Sequence, residues 1–286
     1  MRANGCRAVF FSMAFSDTRV GFARPRIRCA RILFLALASL LVLFLTLPLV
    51  ALVVRALPLG LDAWLNETTL AALQLSLTTA TLSALIAFGV GTPVAYLLAR
   101  ENFRGKAVVD TLIDLPMVLP PAVAGIALLM AFGRRGLLGA TFSAFGIELP
   151  FTTAAVVIAE TFVAAPFYVR SAKAGFGAVD RRLEQMSALL GVSDWKTFWR
   201  VTLPLAAPSV VSGLLMTWAR ALGEFGATIM FAGNFPGRTQ TMPLAIYSGL
   251  EANLDSALAL SLILVIVSFG VLLAIRQVSP KGLTLG

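Results

Sequence analysis

Two ionisable residues, Arg220 and Glu224, lie four positions apart in an otherwise apolar stretch of the chain. At that spacing two side chains share one face of a helix, so the guanidinium and the carboxylate can pair. Ionisable groups inside apolar spans usually face a bundle interior or a water-filled path. Two roles follow: the pair shapes a translocation path or its gate, or it is an internal ion pair that fixes helix packing. Gly223 and Gly226 belong to the same candidate site, because small residues permit close helix approach.

A second distinctive stretch, 181–200, is amphipathic. Leu183, Met186 and Leu190 recur at helical spacing, with charged residues on the opposite side. Gly191 is placed as a C-terminal cap, and a second short helix is predicted over 194–200. The prediction is two short helices joined by a glycine turn. Such a pair can present a surface to a partner protein, or it can lie on anionic lipid.

The sequence shows no phosphate-binding loop, no paired catalytic carboxylates, no nucleophile elbow and no zinc ligands. The Gly105-Lys106 pair has no glycine five residues before it and is followed by alanine, so it is not a phosphate-binding loop. The chain has no histidine, and Cys6 and Cys29 have no metal-binding spacing, so no metal site is predicted. We therefore expect a protein that is not an enzyme by itself and that holds no cofactor.

The elements that position these residues are apolar blocks. The chain has 286 residues, of which 58% are hydrophobic and 13% charged. A spanning helix needs roughly 20 apolar residues, and we expect an all-α integral membrane protein with six such helices. The third contains Pro116, Pro120 and Pro121, and broken backbone at membrane depth requires neighbouring protein or a cavity. The predicted spans are 32–54, 70–99, 111–132, 151–169, 206–231 and 257–275.

The distribution of cations predicts the orientation. Of the 23 Lys and Arg residues, 18 lie in the tail 1–31, the 100–110 loop, the 170–204 loop and the tail 276–286. The positive-inside rule places those segments, with both termini, in the cytoplasm. The net charge of +9 therefore reflects topology and does not indicate nucleic-acid binding. The first span has no cleavage signal and is expected to be a retained anchor, whether translation starts at Met1 or at Met13.

The 170–204 loop resembles the cytoplasmic loop of type I ABC importer permeases, which carries an acidic residue, two alanines, a glycine, and then an apolar residue and Leu-Pro. Here the glycine stands seven residues after the glutamate, and two other residues replace the alanines. The positions are occupied by Glu184, Gln185, Met186, Gly191, Val201, Leu203 and Pro204. The resemblance implies a type I permease fold whose loop docks a separate ATPase subunit dimer. ATP would then be bound by that partner.

The stretch 220–247 and the segment 115–136 are similar to molybdate permeases, and the resemblance covers about 69–275, the permease domain. Sulfate and thiosulfate permeases share the core of the 220–228 stretch, so these anions, and tungstate, remain alternatives. The resemblance implies an external oxyanion-binding protein and a second permease copy, most simply an identical one.

A secondary transporter is the alternative from another class, but such carriers often show an internal repeat, and none is convincing here. A membrane scaffold without a pore would leave the prolines, the ion pair and the loop unexplained.

Overall fold

The computed structural model describes residues 25–64 and 66–278. The tail up to residue 24, with Met13 and Cys6, and the tail from residue 279 lie outside the described residues. No strand occurs in the described part of the chain, which confirms the predicted all-helical fold. The helices are α1 (Pro25–Ala56), α2 (Leu61–Trp64), α3 (Glu67–Arg100), α4 (Lys106–Val118), α5 (Pro121–Phe132), α6 (Gly139–Ala144), α7 (Thr153–Ala178), α8 (Arg181–Leu189), α9 (Asp194–Thr197), α10 (Leu203–Leu222), α11 (Gly226–Ala232), α12 (Met242–Ala252) and α13 (Leu254–Val278).

Five helical stretches are long and apolar enough to cross a membrane, and a sixth crossing results if α4 and α5 count as one broken span. The predicted spans 32–54, 70–99 and 257–275 lie within α1, α3 and α13. Helices suit an apolar solvent because they satisfy their backbone hydrogen bonds internally.

The predicted span 111–132 is not one helix but two, α4 and α5, which are bent by 116° relative to each other. Between them Leu119 and Pro120 are extended, with ψ of 135° and 133°. Each of these residues precedes a proline, and the proline ring disfavours helical backbone in the residue before it. Pro121 then begins α5, where its missing N–H would have no helical partner anyway.

The predicted span 206–231 is also interrupted. Helix α10 ends at Leu222, and the chain resumes as α11 at Gly226. At its other end α10 is continuous with α9 through a π-helical turn, Phe198–Thr202, so the second helix of the loop is not short as predicted. The widened turn lies just before Pro204, whose ring would clash with a carbonyl in regular helix.

Helix α7 ends at Ala178, nine residues beyond the predicted end of the span at 169. The loop expected from residue 170 therefore begins at Val179. The extension carries Arg170 and Lys173, which pair with Asp114 and Asp110 of α4. The predicted span ended at residue 169 because the apolar sequence ends at these cations. The helix continues past them because their side chains have partners on α4.

The chain divides at Val50 into two compact units. In the first, the described residues 25–50 belong to α1. In the second, α3, α7 and α10 pack around a core that includes Tyr168 and Phe176. Helices α5 and α11 pack on α7 around Phe231, and α12 and α13 pack on α3 around Met242. These contacts form the frame that holds the candidate sites.

Helices α7 and α10 approach closely because each places a glycine opposite a serine of the other. A Cβ on Gly175 would lie 2.5 Å from Cβ of Ser209, and one on Gly213 would lie 2.7 Å from Cβ of Ser171. The Ser171 hydroxyl donates to the Ser209 carbonyl at 2.7 Å. Small residues with a hydroxyl cross-link of this kind are the usual means of helix association in lipid.

We expect Gly175→Val to destabilise the protein by about 1–3 kcal/mol, the usual cost of overfilling a close contact. Gly177→Val is the matched control, because it adds the same side chain to the same helix at a position where no atom beyond the neighbouring residues and the backbone of that helix lies within 4 Å of the Cβ. Thermal unfolding in detergent measures both variants. An equal loss of stability in the two would contradict the packing argument.

Candidate functional site

The loop between α7 and α10 is built around two helix ends. Asp180 caps the start of α8, where its carboxylate accepts from the backbone N–H of Arg182 at 2.9 Å. At the other end Gly191 has φ of +74°, Gly191 N donates to Ala188 O at 2.9 Å, and Val192 N donates to Ser187 O at 3.1 Å. These two bonds form a Schellman motif. Gly191 therefore has the capping position expected from the sequence.

The side chain of Glu184 points into the protein. Its Oε1 accepts from Arg100 Nη2 at 2.8 Å and from Thr202 Oγ1 at 2.7 Å. The Arg100 side chain is only 6% exposed, and that of Glu184 is 19% exposed. A single carboxylate thus joins the end of α3, the helix α8 and the π-helical turn before α10.

Arg100 makes further contacts that fix the start of the loop. Its Nη1 donates to the carbonyl of Val179 at 3.0 Å, and its own carbonyl accepts from Arg181 Nη2 at 2.6 Å. Charge-assisted hydrogen bonds of this kind are stronger than neutral ones. Together with Glu184 and Thr202, these residues form a network, hereafter the Arg100 anchor, which ties the loop to the helix bundle.

The opposite side of α8 is apolar and faces outward. Met186 is 60% exposed, Leu189 is 87% exposed and Leu190 is 81% exposed. Gln185 is exposed as well. Apolar side chains on a helix that the bundle does not cover are typical of a surface that fits a partner groove.

The predicted motif residues therefore divide into three groups. Glu184 and Gly191 determine the position and the end of α8. Val201 lies in the π-helical turn, and Leu203 and Pro204 begin α10. Of the motif residues, Gln185 and Met186, the two that depart from the family pattern, are the ones that are exposed on α8 itself.

Arg220 and Glu224 form an ion pair, with Nη1 and Oε2 2.8 Å apart. They do not share a helical face as predicted, because Arg220 lies in the last turn of α10 and Glu224 lies beyond the end of that helix. The other carboxylate oxygen, Oε1, accepts from the backbone N–H of Ala227 at 2.9 Å. Glu224 is 1% exposed, so this carboxylate both neutralises Arg220 and caps the start of α11.

The two glycines of this candidate site differ in role. A Cβ on Gly226 would lie 2.5 Å from Cβ of Pro121, so the start of α11 packs directly on the start of α5. Gly223 has only Ala219 O near its Cβ position, at 3.7 Å, and it does not serve close packing. The two chain breaks at 119–120 and 223–225 thus lie beside one another.

A buried carboxylate that the sequence reasoning missed lies on α7. Glu160 is 1% exposed, and its two oxygens accept from Thr79 Oγ1 at 2.9 Å and from Ser83 Oγ at 3.0 Å. The Ser83 hydroxyl also reaches the carbonyl of Val157 at 3.1 Å. The available signal was an ionisable residue inside the predicted span 151–169.

The sequence reasoning also missed Arg100 and Thr202. Arg100 counted only as one cation of a polar loop, and Thr202 lay between motif positions. Nothing in their local pattern distinguishes them, since their partner Glu184 is 84 and 18 residues away along the chain. Among the described residues, no group of three or more His, Cys, Asp or Glu side chains is placed to hold a metal ion.

We expect Arg100→Gln to release α8 from the bundle. Removing one member of a buried ion pair costs about 3 kcal/mol or more, because the other charge is left uncompensated. Hydrogen exchange of the backbone amides over 181–192 should rise, while exchange in α7 should not. Arg182→Gln, which removes an exposed cation from the same helix, is the control. Equal exchange in the two variants would contradict the anchoring role.

Comparison with known proteins identifies the family. The binding-protein-dependent transport system inner membrane component family matches residues 91–281. The chain is 44% identical over 242 residues to the molybdenum transport system permease protein ModB of Mycobacterium tuberculosis, covering 84% of this chain and 92% of that protein. It is 42% identical over 251 residues to a probable molybdenum ABC transporter permease of Haloferax volcanii, covering 87% and 90%.

A solved structure confirms the predicted permease fold. The bacterial alginate ABC transporter, in complex with an alginate pentasaccharide-bound periplasmic protein, superposes with a TM-score of 0.69. The superposition covers 91% of this chain and 98% of that one, at 18% identity. The chain therefore belongs to the family of binding-protein-dependent transport system inner membrane components, multi-pass proteins of the cytoplasmic membrane.

Proposed function

We propose that this chain is the permease subunit of an ATP-driven importer that carries molybdate across the cytoplasmic membrane. The observation that carries the proposal is the 44% identity to a molybdenum permease over 84% of the chain. The probable molybdenum permease of Haloferax volcanii supports the same substrate. Sulfate, thiosulfate and tungstate are the alternative anions. Identifying the oxyanion that the companion binding protein retains would decide among them.

The loop supports a separate ATPase subunit as the source of energy. Met186 and Leu189 of α8, with Leu190 directly after it, form an exposed apolar ridge, and the Arg100 anchor holds that helix on the bundle. A ridge that is rigidly connected to α3 and α10 can pass a movement of the ATPase to the membrane helices. ATP would be bound by the partner, which acts as a dimer beneath two permease copies.

The remaining partners follow from the same proposal. The alginate transporter, which shares the fold, was solved with a periplasmic binding protein. We propose that an external binding protein delivers the oxyanion here, and that two identical permease copies enclose the path. The α8 end of the bundle and both termini would face the cytoplasm, in agreement with the cations near that end. The long apolar helices would contact lipid.

We expect vesicles that contain the chain, its ATPase and its binding protein to take up molybdate when ATP is present, without a proton or sodium gradient. Glu184→Lys should abolish uptake, because it places a cation against Arg100. Gly191→Val should also reduce uptake, because its φ of +74° is strained for a side chain. Uptake of radiolabelled molybdate and co-purification of the ATPase measure these effects.

Gly237→Val is the control for backbone strain. Its φ is +72°, its Cβ position is open, and it lies outside the loop that carries α8. It should keep most of the uptake that Gly191→Val loses. Uptake driven by an ion gradient in place of ATP would favour a secondary transporter and would overturn the proposal. Undiminished uptake by Glu184→Lys would overturn only the coupling role of the loop.

We also propose that Arg220 and Glu224 control the translocation path. Their ion pair lies where two broken helices meet, and Gly226 contacts Pro121 at that point. An interrupted helix is tolerated at membrane depth where it lines a cavity or contacts protein.

We expect Glu224→Gln to fold, because the amide oxygen can still cap α11, and to transport poorly, because Arg220 loses its counter-ion. Arg220→Ala combined with Glu224→Ala removes the pair without leaving a lone charge. Uptake and the yield of folded protein are measured for both. Full uptake by the double variant would contradict the gating role, and a loss of folded protein in both variants would assign the pair to packing.

A further inference from the structure

A cavity of about 580 Å³ lies between α4 and α7, at the end of the bundle that carries α8. The last residues of α3, Leu98 and Ala99, line one side of it, and Gly177 near the end of α7 lines another. The Arg100 anchor follows directly after Ala99. The cavity therefore opens beside the loop that we assign to the ATPase.

Five charged side chains line this cavity in addition to its apolar walls. They are Lys106, Asp110, Asp114, Arg170 and Lys173. Three cations against two carboxylates leave a net charge of +1. Such a concentration of charge is unusual for this chain, in which only 13% of the residues are charged. A concave surface with excess positive charge raises the local concentration of anions.

Two of the three cations, Lys173 and Arg170, are held by carboxylates at different distances. Lys173 Nζ lies 2.6 Å from both oxygens of Asp110, and these two side chains are about one-third exposed. Arg170 Nε lies 3.3 Å from Asp114 Oδ1, and the Arg170 side chain is 62% exposed. The guanidinium has further N–H groups, which make no hydrogen bond among the described residues. Arg170 can therefore accept an anion before its pair with Asp114 is lost.

We infer that this cavity is a low-affinity site for a tetrahedral oxyanion at the cytoplasmic mouth of the path, an inference that rests on the proposed function. Arg170 and Lys173 bind the anion, and Asp110 and Asp114 compete with it for the same N–H groups. The competition keeps the binding weak. A site on a transport path must be weak, because tight binding would trap the anion.

Packing alone accounts for this arrangement less well. Helix α4 has no fully buried residue, so the two ion pairs do hold it on α7. Two carboxylates and two cations would suffice to hold α4 on α7, so packing does not require a third cation. The third cation, Lys106, donates to the carbonyl of Glu101 at 2.9 Å and lines the same cavity without a carboxylate partner among the described residues.

The test is protection of Lys173 from an amine-modifying reagent, measured by mass spectrometry on the assembled importer in nanodiscs. Molybdate should protect Lys173 more than chloride does at equal ionic strength. Lys196 lies outside the cavity, on α9 in the loop that we assign to the ATPase. It is the reference, and its modification should not differ between molybdate and chloride, whether the ATPase is bound or removed. Equal protection of Lys173 by chloride and by molybdate would indicate screening alone and would overturn the site.

Two variants should change the molybdate concentration for half-protection of Lys173 in opposite directions. Asp110→Asn should lower the molybdate concentration for half-protection about tenfold, because the anion no longer competes with a carboxylate for Lys173. Arg170→Gln should raise it by a similar factor of about ten. If Asp110→Asn does not assemble with the ATPase, Asp114→Asn supplies the same test through Arg170. Unchanged half-protection in the variants that assemble would overturn the site.

Uptake by the same preparations separates the two proposals. Asp110→Asn should slow ATP-driven molybdate uptake, because the anion is retained at the mouth. Arg134→Gln combined with Glu148→Gln is the matched control, since it removes an exposed ion pair in the loop between α5 and α7 and should leave uptake unchanged. Wild-type uptake without protection of Lys173 would overturn the site alone. Absence of molybdate uptake by the wild type would overturn the proposed function.

Discussion

The structure depends on one constraint: in an apolar solvent, each backbone N–H and carbonyl needs a partner within the protein. Long helices meet that requirement, and the two breaks in the described chain meet it by other means. At the first break, proline removes the N–H that would otherwise be unpaired. At the second, the Glu224 carboxylate accepts the N–H of Ala227 at the start of α11. The breaks lie together because Gly226 packs on Pro121. These two breaks thus lie at one place, where the buried carboxylate of Glu224 also pairs with Arg220.

Buried charged side chains also need partners within the protein. Glu160 is enclosed by the hydroxyls of Thr79 and Ser83, and Glu224 is paired with Arg220. Toward the α8 end the polar contacts join separate helices. The Arg100 anchor connects α8 to the end of α3, and the ion pairs of Lys173 and Arg170 connect α7 to α4. A displacement of α8 would therefore reach the helices around the cavity through charge-assisted contacts, which have defined geometry.

Small residues stabilise the packing of α7 on α10. Gly175 and Gly213 let α7 and α10 approach to the distance at which the Ser171 hydroxyl reaches the Ser209 carbonyl. Lipid offers little hydrophobic gain for helix association, so close van der Waals contact and interhelical hydrogen bonds must supply it. Contact with lipid explains the exposed apolar residues of the long helices. It does not explain the exposed apolar ridge at Met186, Leu189 and Leu190. The ridge lies on a short helix next to charged residues, and we propose that the ATPase subunit covers it.

The sequence by itself determined that the chain is a helical membrane protein, that Gly191 caps the end of α8, and that Arg220 and Glu224 form a pair. Hydrophobic length, a glycine cap and close spacing along the chain are local properties, and they can be read directly. Only the tertiary structure decided that Glu184 binds Arg100, that α4 and α5 are separate helices bent by 116°, and that Glu224 caps α11. It also gathered Asp110, Asp114, Arg170 and Lys173 around one cavity. These features depend on residues far apart in sequence, and apolar periodicity contains no information about which distant polar group will become the partner.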